Sequence, residues 1–385
     1  MSSEIEPNDE GTAQEAMTEH VLVQRTGRAM ASEVSIQLAV APEEVAQAER
    51  AANLCMEWYA EVDARLSRFR PQSDLSRLNE SAGKWHAASD VLYAAVERAI
   101  RAAQETGGLF DPTLLPQLES LGYDRDFDEI AHQERTPDTP SVNAPLSPGG
   151  LWRGIELDAR RRRIRLPVGA RLDLGGIAKG WAADVAIERF CASFANALAN
   201  AGGDLRLRGF PAPETPWSVG VSNPHGTTQE DAVTVSFSRG GLATSGAVKR
   251  WWLRDGRTIH HLLDPRSGAP MRLWTPGMEE ASTDQPLIAT ATALTPTATQ
   301  AEVAAKVALL RGYPAALRSV EAAWNATIGA EESELAGGSF VAAERDVALI
   351  LILGTGKLVY SANLLPYLTS WGTEGAPHIA GLCSL

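Results

Sequence analysis

Cysteine is scarce in this sequence, and the cysteines lie far apart. They number three, namely Cys55, Cys191 and Cys383. Zinc sites need ligands at short, paired spacings, and a disulfide framework needs more cysteines than this. We therefore expect neither kind of site, and we expect a reduced compartment.

An excess of positive charge is also lacking. The 385 residues contain 35 Lys and Arg against 48 Asp and Glu, which gives a net charge of -13. Nonspecific binding to nucleic acid or to an anionic membrane is not expected for a chain of this sign. The first 20 residues are acidic and lack the basic and apolar regions of a signal peptide. We expect residues 1–20 to be a solvated tail and the protein to be cytoplasmic.

No apolar run is long enough to suggest a membrane span. The most apolar stretch is VALILIL, at residues 347–353. It is far shorter than the roughly 20 residues that cross a bilayer. The turn sequence GTGK follows it and leads into LVYSA, and this order predicts a buried hairpin.

Helix and strand patterns are mixed along the chain without a regular alternation, which favours an α+β fold over a doubly wound sheet. A second helix is predicted from a Ser89 cap to Gly107 and Gly108. Residues 126–150 are polar and rich in proline, which is typical of an insertion between elements. We expect a single catalytic domain over residues 21–385. An earlier, long helix after residue 42 is predicted by apolar residues at i, i+4 spacing, namely Leu54, Trp58, Val62 and Leu66.

The stretch RLDLGGIAKGWAAD, residues 171–184, combines an Asp, two glycines and a Lys at the predicted start of a helix. It matches neither the P-loop nor the dinucleotide fingerprint. Glycines still allow a ligand close to the backbone, and a helix start with Lys179 suits an anionic phosphate. The other interpretation is a tight turn with an exposed lysine.

A second candidate region is HHLLDPRSG, residues 260–268. It holds two His, one Asp and one Arg, and ATSGAVKRW, residues 243–251, precedes it by about ten residues. The two segments together predict a hairpin that carries chemistry.

The chain resembles a known family, the FAD:protein FMN transferases, also called ApbE-type flavin transferases. The resemblance implies an α+β, two-lobed architecture with mixed or antiparallel sheets, flanking helices and a flavin nucleotide in the cleft. It is carried by seven blocks in the family's order, namely RLSRFRPQSDLSRLNE (65–80), GGLFDPTLLPQLESLGY (107–123), LDLGGIAKGWAAD (172–184), ANAGGDLRLRG (199–209), ATSG (243–246), HHLLDPRSG (260–268) and TPTATQAEVAAKVALLRG (295–312).

The reaction that the resemblance implies is a phosphoryl transfer. FAD is cut at its pyrophosphate, FMN passes to a Thr or Ser of an acceptor protein, and AMP leaves. His261 matches the family's His before the DP turn, and an unperturbed pKa near 6.5 suits a general base. His260 is the less favoured catalyst. Arg266 either steadies a phosphate or pairs with Asp264 and shapes the turn.

Other positions match the family's FAD-binding residues. Asp173, Gly176 and Lys179 match its nucleotide-binding turn. The remaining matches, for which core packing is the alternative role of the aromatic side chains, are Met30, Phe69, Leu109, Phe110 and Asp111.

Two departures from the family bear on metal and activity. Ala247 follows ATSG where the family usually has Asp, and the last helix has Glu302 and Lys306 in place of two magnesium ligands, an Asp and a Thr or Ser. Glu302 with the Gly176 carbonyl could still bind magnesium, whereas an ammonium cannot be a ligand.

Three roles for the Glu302 and Lys306 pair follow from these departures. The first is an altered metal site, and the second is a site where Lys306 supplies the positive charge. In the third, Glu302 only forms a capping box with Thr299 and a helical pair with Lys306. The departures also leave open a second function, a flavin-binding protein without transfer activity that acts as an FAD store or interaction module.

Overall fold

The structure, a computed structural model, describes residues 20–130, 147–226, 230–254, 256–278, 285–328 and 347–371. Residues 186–190 continue the sixth helix as a π-helix. Within the described ranges the α-helices are α1 (Val45–Leu66), α2 (Asp74–Glu80), α3 (Asp90–Glu105), α4 (Leu115–Ser120), α5 (Phe127–Ile130), α6 (Ala178–Val185), α7 (Ala298–Arg311) and α8 (Ala315–Ile328).

The strands pair antiparallel throughout the described ranges. They are β1 (Val21–Ala29), β2 (Ser32–Val40), β3 (Trp85–Ala87), β4 (Glu156–Asp158), β5 (Arg163–Arg165), β6 (Asn196–Ala201), β7 (Asp204–Arg208), β8 (Trp217–Ser222), β9 (Asp231–Phe237), β10 (Arg239–Gly246), β11 (Trp251–Arg254), β12 (Arg257–His260), β13 (Leu263–Asp264), β14 (Ala269–Pro270), β15 (Ile288–Thr295), β16 (Ala348–Leu353), β17 (Leu358–Tyr360) and β18 (Leu368–Trp371).

An eight-stranded sheet of order β1-β2-β6-β7-β10-β15-β16-β17 forms the centre of the fold. Helix α1 packs on β1 and β2, α6 on β6 and β7, and α7 on β10 and β15. A three-stranded sheet, β18-β9-β8, supplies apolar residues to a separate core cluster with the large sheet. Helices and antiparallel sheets form separate layers, so the expected α+β class is confirmed.

Strand β16 is apolar at every position because both of its faces are covered. Ala348, Ile350 and Ile352 face the cluster shared with the three-stranded sheet. Leu349 and Leu351 point to the opposite side, into the cluster that contains α7 and α8. Successive side chains of a strand face opposite ways, so a strand covered on both faces needs an apolar residue at every position. The predicted hairpin with β17 is confirmed.

The two predicted long helices are present, with one exception in their buried faces. Trp58 and Leu66 of α1 are buried, but Leu54 is 46% exposed, so its assignment to the apolar face is wrong. Each step of four residues advances 400° around an α-helix, so a series of three such steps drifts by about 120°. For α3, Ser89 accepts a hydrogen bond from the Leu92 N–H, as its predicted capping role requires.

The predicted insertion at 126–150 contains the short helix α5, and its last residues are attached to the fold. The Gly149 N–H donates to the Pro265 carbonyl at 2.7 Å, and Gln117 donates to the Ser147 carbonyl at 2.9 Å. Residues 131–146, the predicted tail up to residue 19 and Cys383 lie outside the described residues. In the described ranges, no helix has the length and apolar character of a membrane span.

Candidate active site

The glycine turn before α6 is shaped by Asp173. Its Oδ1 accepts a hydrogen bond from the Gly175 N–H at 2.8 Å, and its Oδ2 lies 3.3 Å from Nε of Arg68. An Asp that bonds the backbone two residues ahead closes a tight turn. Asp173 therefore holds the turn in place and neutralises Arg68, and its predicted contact with the nucleotide stays a prediction.

Helices α6 and α7 approach closely because residue 180 is a glycine. A β-carbon there would lie only 2.5 Å from the Ala298 carbonyl oxygen. The Gly180 N–H, one of the unpaired donors in the first turn of α6, donates to Oε2 of Glu302 at 2.9 Å. In return, Asp184 of α6 accepts from the Ala298 N–H at 2.8 Å. Each helix thus receives a carboxylate at its N-terminus from the other.

The capping box predicted for Thr299 and Glu302 is wrong. Helix α7 is capped by Thr297, whose side chain accepts from the Gln300 N–H. Thr299 already lies inside the helix and its hydroxyl donates to Asp184. Glu302 instead accepts a hydrogen bond from the Gly180 N–H of α6. If Glu302 bonded to the start of its own helix, that buried N–H would have no partner.

Four charged side chains meet beside this helix contact, and we call Lys179, Asp204, Glu302 and Lys306 the ionic cluster. Lys179 forms an ion pair with Asp204 and lies 3.7 Å from Glu302 Oε1. Lys306 Nζ lies 3.3 Å from the same oxygen, so the predicted helical pair is confirmed. The side chains of Asp204 and Glu302 are 3% and 2% exposed, and those of Lys179 and Lys306 are 19% and 16% exposed. Every charge in the cluster has a partner, as buried charges require.

Burial and pairing act against each other on the ionisation of this cluster. Burial raises the pKa of Asp204 to about 6, despite the Lys179 ammonium beside it. Burial alone would lower the pKa of Lys179, but the carboxylates of Asp204 and Glu302 outweigh it and raise that pKa. Lys179 is therefore charged and paired, so the alternative of an exposed lysine on a simple turn is wrong.

The expected magnesium ligands, Glu302 and the Gly176 carbonyl, lie close together, but their surroundings do not suit a divalent cation. A β-carbon at Gly176 would lie 3.3 Å from Lys306 Cε, which puts the glycine turn, Glu302 and Lys306 side by side. Both oxygens of Glu302 already have partners, at Gly180 and at the two ammonium groups. Magnesium prefers oxygen ligands of net negative charge. In the part of the chain that the structure describes, no group of three or more His, Cys, Asp or Glu could hold a metal.

His261 lies across the site, where the β11–β12 hairpin ends. Trp251 pairs with His260, so Arg250 lies opposite His261 at the next step of the register. His261 Nδ1 lies 3.4 Å from the Arg250 carbonyl oxygen, and its ring lies edge-on to Tyr123 at 6.4 Å. A carbonyl only accepts, so Nδ1 carries the proton and Nε2 is left as the basic nitrogen.

The unperturbed pKa expected for His261 is wrong. Burial, followed by the charge of Arg250, lowers the pKa of His261 to about 3. No carboxylate is among the groups that act on it, in contrast to Lys179. His261 is therefore neutral at physiological pH and its basic form is always present.

His260 is engaged in the fold at both ring nitrogens. Its Nε2 donates to the Met271 carbonyl at 2.9 Å, and its Nδ1 accepts from the Leu262 N–H at 3.3 Å. The side chain is 3% exposed. These contacts favour a structural role for His260 and leave His261 as the candidate base.

The aromatic side chains around His261 form what we call the histidine side of the site: Phe69, Tyr123, Trp252 and His261. Tyr123 lies 5.7 Å from Phe69 and 5.6 Å from Trp252 between ring centres. The guanidinium of Arg68 lies 4.1 Å above the Phe69 ring and 4.4 Å above the Tyr123 ring. Phe69 is thus part of an aromatic wall that a planar ring system could contact.

Two arginines beside this wall were missed by the sequence argument. Arg68 immediately precedes Phe69, and Arg250 stands in the quoted segment ATSGAVKRW. The charge of Arg250 acts on His261, Tyr123 and Lys179, which places it between the histidine side and the ionic cluster. The predicted hairpin could have revealed Arg250, because pairing Trp251 with His260 puts Arg250 opposite His261.

Three of the predicted binding residues are occupied by local contacts. Asp111 accepts hydrogen bonds from the N–H groups of Thr113 and Gly150. Arg266 forms a two-point ion pair with Asp264, at 2.9 and 2.8 Å, and its side chain is 65% exposed. For Arg266 the turn-shaping alternative therefore has the support of the geometry. Met30 lies in the β1–β2 turn, with φ of +53°, and donates its N–H to Asp63 at 3.0 Å.

The other predicted residues lie close to the glycine turn. A β-carbon at Gly176 would lie 3.2 Å from the Phe110 ring, and Leu109 packs beside it against the largest core cluster. Ala247, where the family usually has Asp, is fully buried in an apolar cluster. The structure thus brings Phe110, Gly176, Lys179, Glu302 and Lys306 together.

Comparisons with known proteins identify the family to which this α+β chain belongs. A sequence profile described as the ApbE family matches residues 30–328. The chain therefore belongs to the ApbE family. The structure resembles that of the ApbE protein from Thermotoga maritima, with a TM-score of 0.71, 23% identity, and coverage of 91% of this chain and 100% of that one. The flavin transferase ApbE from Vibrio cholerae gives a TM-score of 0.66 at 20% identity, with 91% and 100% coverage.

Curated relatives share a single name, FAD:protein FMN transferase. The protein from Treponema pallidum is 34% identical over 221 residues, 53% of this chain and 59% of that one. The protein from Salmonella typhimurium is 29% identical over 235 residues, 58% and 65% of the two chains. The chain thus spans about six-tenths of the length of the curated relatives it matches.

Proposed function

We propose that this protein is an FAD:protein FMN transferase, a transferase that uses FAD as substrate and a protein as acceptor. The observation that carries the proposal is a half-buried His261 whose pKa is lowered to about 3 and on which the charges of Arg250 and Lys306 act. The name shared by the curated relatives supports the same activity. The Thr or Ser acceptor and a cytoplasmic location are part of this proposal.

The chemistry needs one proton acceptor and a positive environment for phosphate. The acceptor hydroxyl oxygen bonds to the phosphorus of the FMN half, the bond from that phosphorus to the bridging oxygen breaks, and AMP leaves with the bridging oxygen. The hydroxyl proton passes to Nε2 of His261. The imidazole is neutral before the reaction, and the negative charge of the bound diphosphate would raise its pKa toward the operating pH at which a general base works best.

Binding and charge stabilisation fall to the residues around the turn. Arg250 and Lys306 supply positive charge for the diphosphate, which carries charge throughout the transfer. Phe69, which is partly exposed and packs against the buried Tyr123, offers an apolar surface for the flavin ring. Lys179 and Asp173 position the turn through their ion pairs.

The competing function is an FAD store or interaction module without transfer activity. Ala247 and Lys306 motivate it, because both replace residues usual in the family. The two functions differ in their products. A store binds FAD unchanged, whereas a transferase releases one AMP for each flavin that it transfers.

The test incubates the purified protein with FAD and a synthetic peptide that carries one threonine, beside a matched peptide with valine in its place. AMP release is followed by chromatography and covalent FMN on the peptide by mass spectrometry. We expect AMP and a flavin-bearing threonine peptide, with no modification of the valine peptide. Tight FAD binding without AMP, with or without peptide, would favour the store.

A further inference from the structure

The ionic cluster is balanced in charge without any added ion. Its two buried carboxylates, Asp204 and Glu302, face two ammonium groups, those of Lys179 and Lys306. The formal charges of the four side chains cancel. A site for a divalent cation has the opposite composition, with carboxylates in excess of cationic side chains.

Lys306 is held in this cluster by more than its charge. Its Nζ donates to the Glu302 main-chain carbonyl at 3.2 Å and to the Glu302 carboxylate at 3.3 Å. Its aliphatic chain runs past Gly176, where a β-carbon would lie 3.3 Å from Cε and 3.7 Å from Cδ. The ammonium is thus fixed between the glycine turn and the carboxylate of Glu302, the groups that would hold magnesium if it were bound here.

We infer that the ammonium of Lys306 takes the place of a divalent cation at this site, so that the protein binds FAD without magnesium. The inference rests on the proposed function for its ligand, FAD. With Arg250 added, the five side chains carry three positive and two negative charges, a net charge of +1. The site therefore attracts a diphosphate by its own residues and repels a free divalent cation.

The first experiment measures metal binding on the protein without FAD, so its outcome does not depend on the proposed function. Titration with MnCl₂, followed by electron paramagnetic resonance, should show no saturable binding to the parent protein. The double variant Glu302→Asp with Lys306→Thr, which exposes oxygen ligands and removes the ammonium, should gain a saturable site. Saturable binding to the parent that Glu302→Gln abolishes would overturn the inference, as would failure of the folded double variant to gain a site.

The second experiment measures the affinity for FAD in EDTA and in MgCl₂. The parent affinity should be the same in both, and Lys306→Met should weaken it about tenfold or more in both, since a charge-assisted contact is lost. The double variant should bind tightly only with magnesium. Lys357→Thr, which removes an exposed lysine from the turn between β16 and β17, is the matched control and should behave as the parent.

The contrary result is a parent affinity that falls in EDTA and returns with magnesium. If Lys306→Met does not fold, Lys306→Arg keeps the charge and should bind FAD equally in EDTA and in magnesium; a magnesium requirement in that variant would equally overturn the inference. If no FAD binds under any condition, the proposed function fails, while the manganese titration still decides the cation question.

Discussion

The ionic cluster and the histidine side are both shielded from water, yet the titratable side chain is charged in the first and neutral in the second. In the ionic cluster, Lys179 lies within 3.7 Å of Glu302 and forms an ion pair with Asp204, so burial leaves it charged. On the histidine side, burial and then the charge of Arg250 are the main influences on His261, and both lower its pKa, so it is neutral. The difference shows that the nearest opposite charge, and not burial alone, decides the ionisation state. One half can hold charge, and the other can accept a proton.

The largest effect should come from removal of the base on the histidine side. His261→Ala should slow AMP release by about 10²–10⁴-fold, the usual contribution of a general base. FAD affinity should change little, because the neutral imidazole contributes no charge to binding. Rates from single-turnover chromatography and affinities from calorimetry separate the two quantities. His260→Ala is the control, and a greater loss of rate there than in His261→Ala would reverse the assignment.

In the ionic cluster, the main effect of a deletion should be on stability. Lys179→Met leaves two buried carboxylates short of a cation and should lower the free energy of unfolding by about 3–5 kcal/mol. Weaker FAD binding should accompany it. Urea denaturation measures the change, with Lys357→Met as a surface control. The double variant Lys179→Met with Asp204→Asn should recover part of the loss, and no difference between Lys179→Met and the control would contradict the pairing.

The charge of Arg250 acts on both His261 and Lys179, so its removal should change properties of both parts of the site. Arg250→Gln should weaken FAD binding by about 1.5–3 kcal/mol, the cost of one contact to a charged group. It should also raise the pKa of His261, because a neighbouring positive charge is removed. Calorimetry gives the affinity and NMR titration of the ring protons gives the pKa. Arg266→Gln, at an exposed ion pair, should affect neither.

The smallest effect is the pH dependence of stability from His261. Its pKa is about 3 in the folded protein and near 6.5 when unfolded, so between these values the unfolded chain binds more protons. This contribution is complete above pH 6.5 and is lost as the pH falls, by about 2 kcal/mol at pH 5. His261→Gln should show a smaller loss of unfolding free energy between pH 7 and pH 5. An equal loss in parent and variant would contradict burial of a neutral imidazole.

Local features could be predicted from the sequence because their causes lie within a few residues. The Ser89 cap of α3 and the β16–β17 hairpin are of this kind. The family blocks similarly led to the α+β fold, the glycine turn and His261.

The failures have their causes in contacts between different helices and strands. Glu302 was assigned to a capping box, but its partner is the N–H of Gly180, 122 residues earlier. The expected pKa of His261 ignored its burial, which is the main cause of the lowered value, and the charge of Arg250, which the pairing of β11 with β12 brings opposite it. Neither contact leaves a mark in local propensity, since each depends on which helices and strands become neighbours.

The close contact of α6 and α7 has a consequence for how such a protein can change by mutation. The helices are joined through Gly180 and Asp184, at the Ala298 and Glu302 positions of α7, and Lys306 takes no part in that joint. The contacts that set the backbone spacing therefore do not include the ammonium that neutralises Glu302. The charge beside Glu302 can therefore change by substitution at residue 306 alone, while the contacts between the two helices stay as they are.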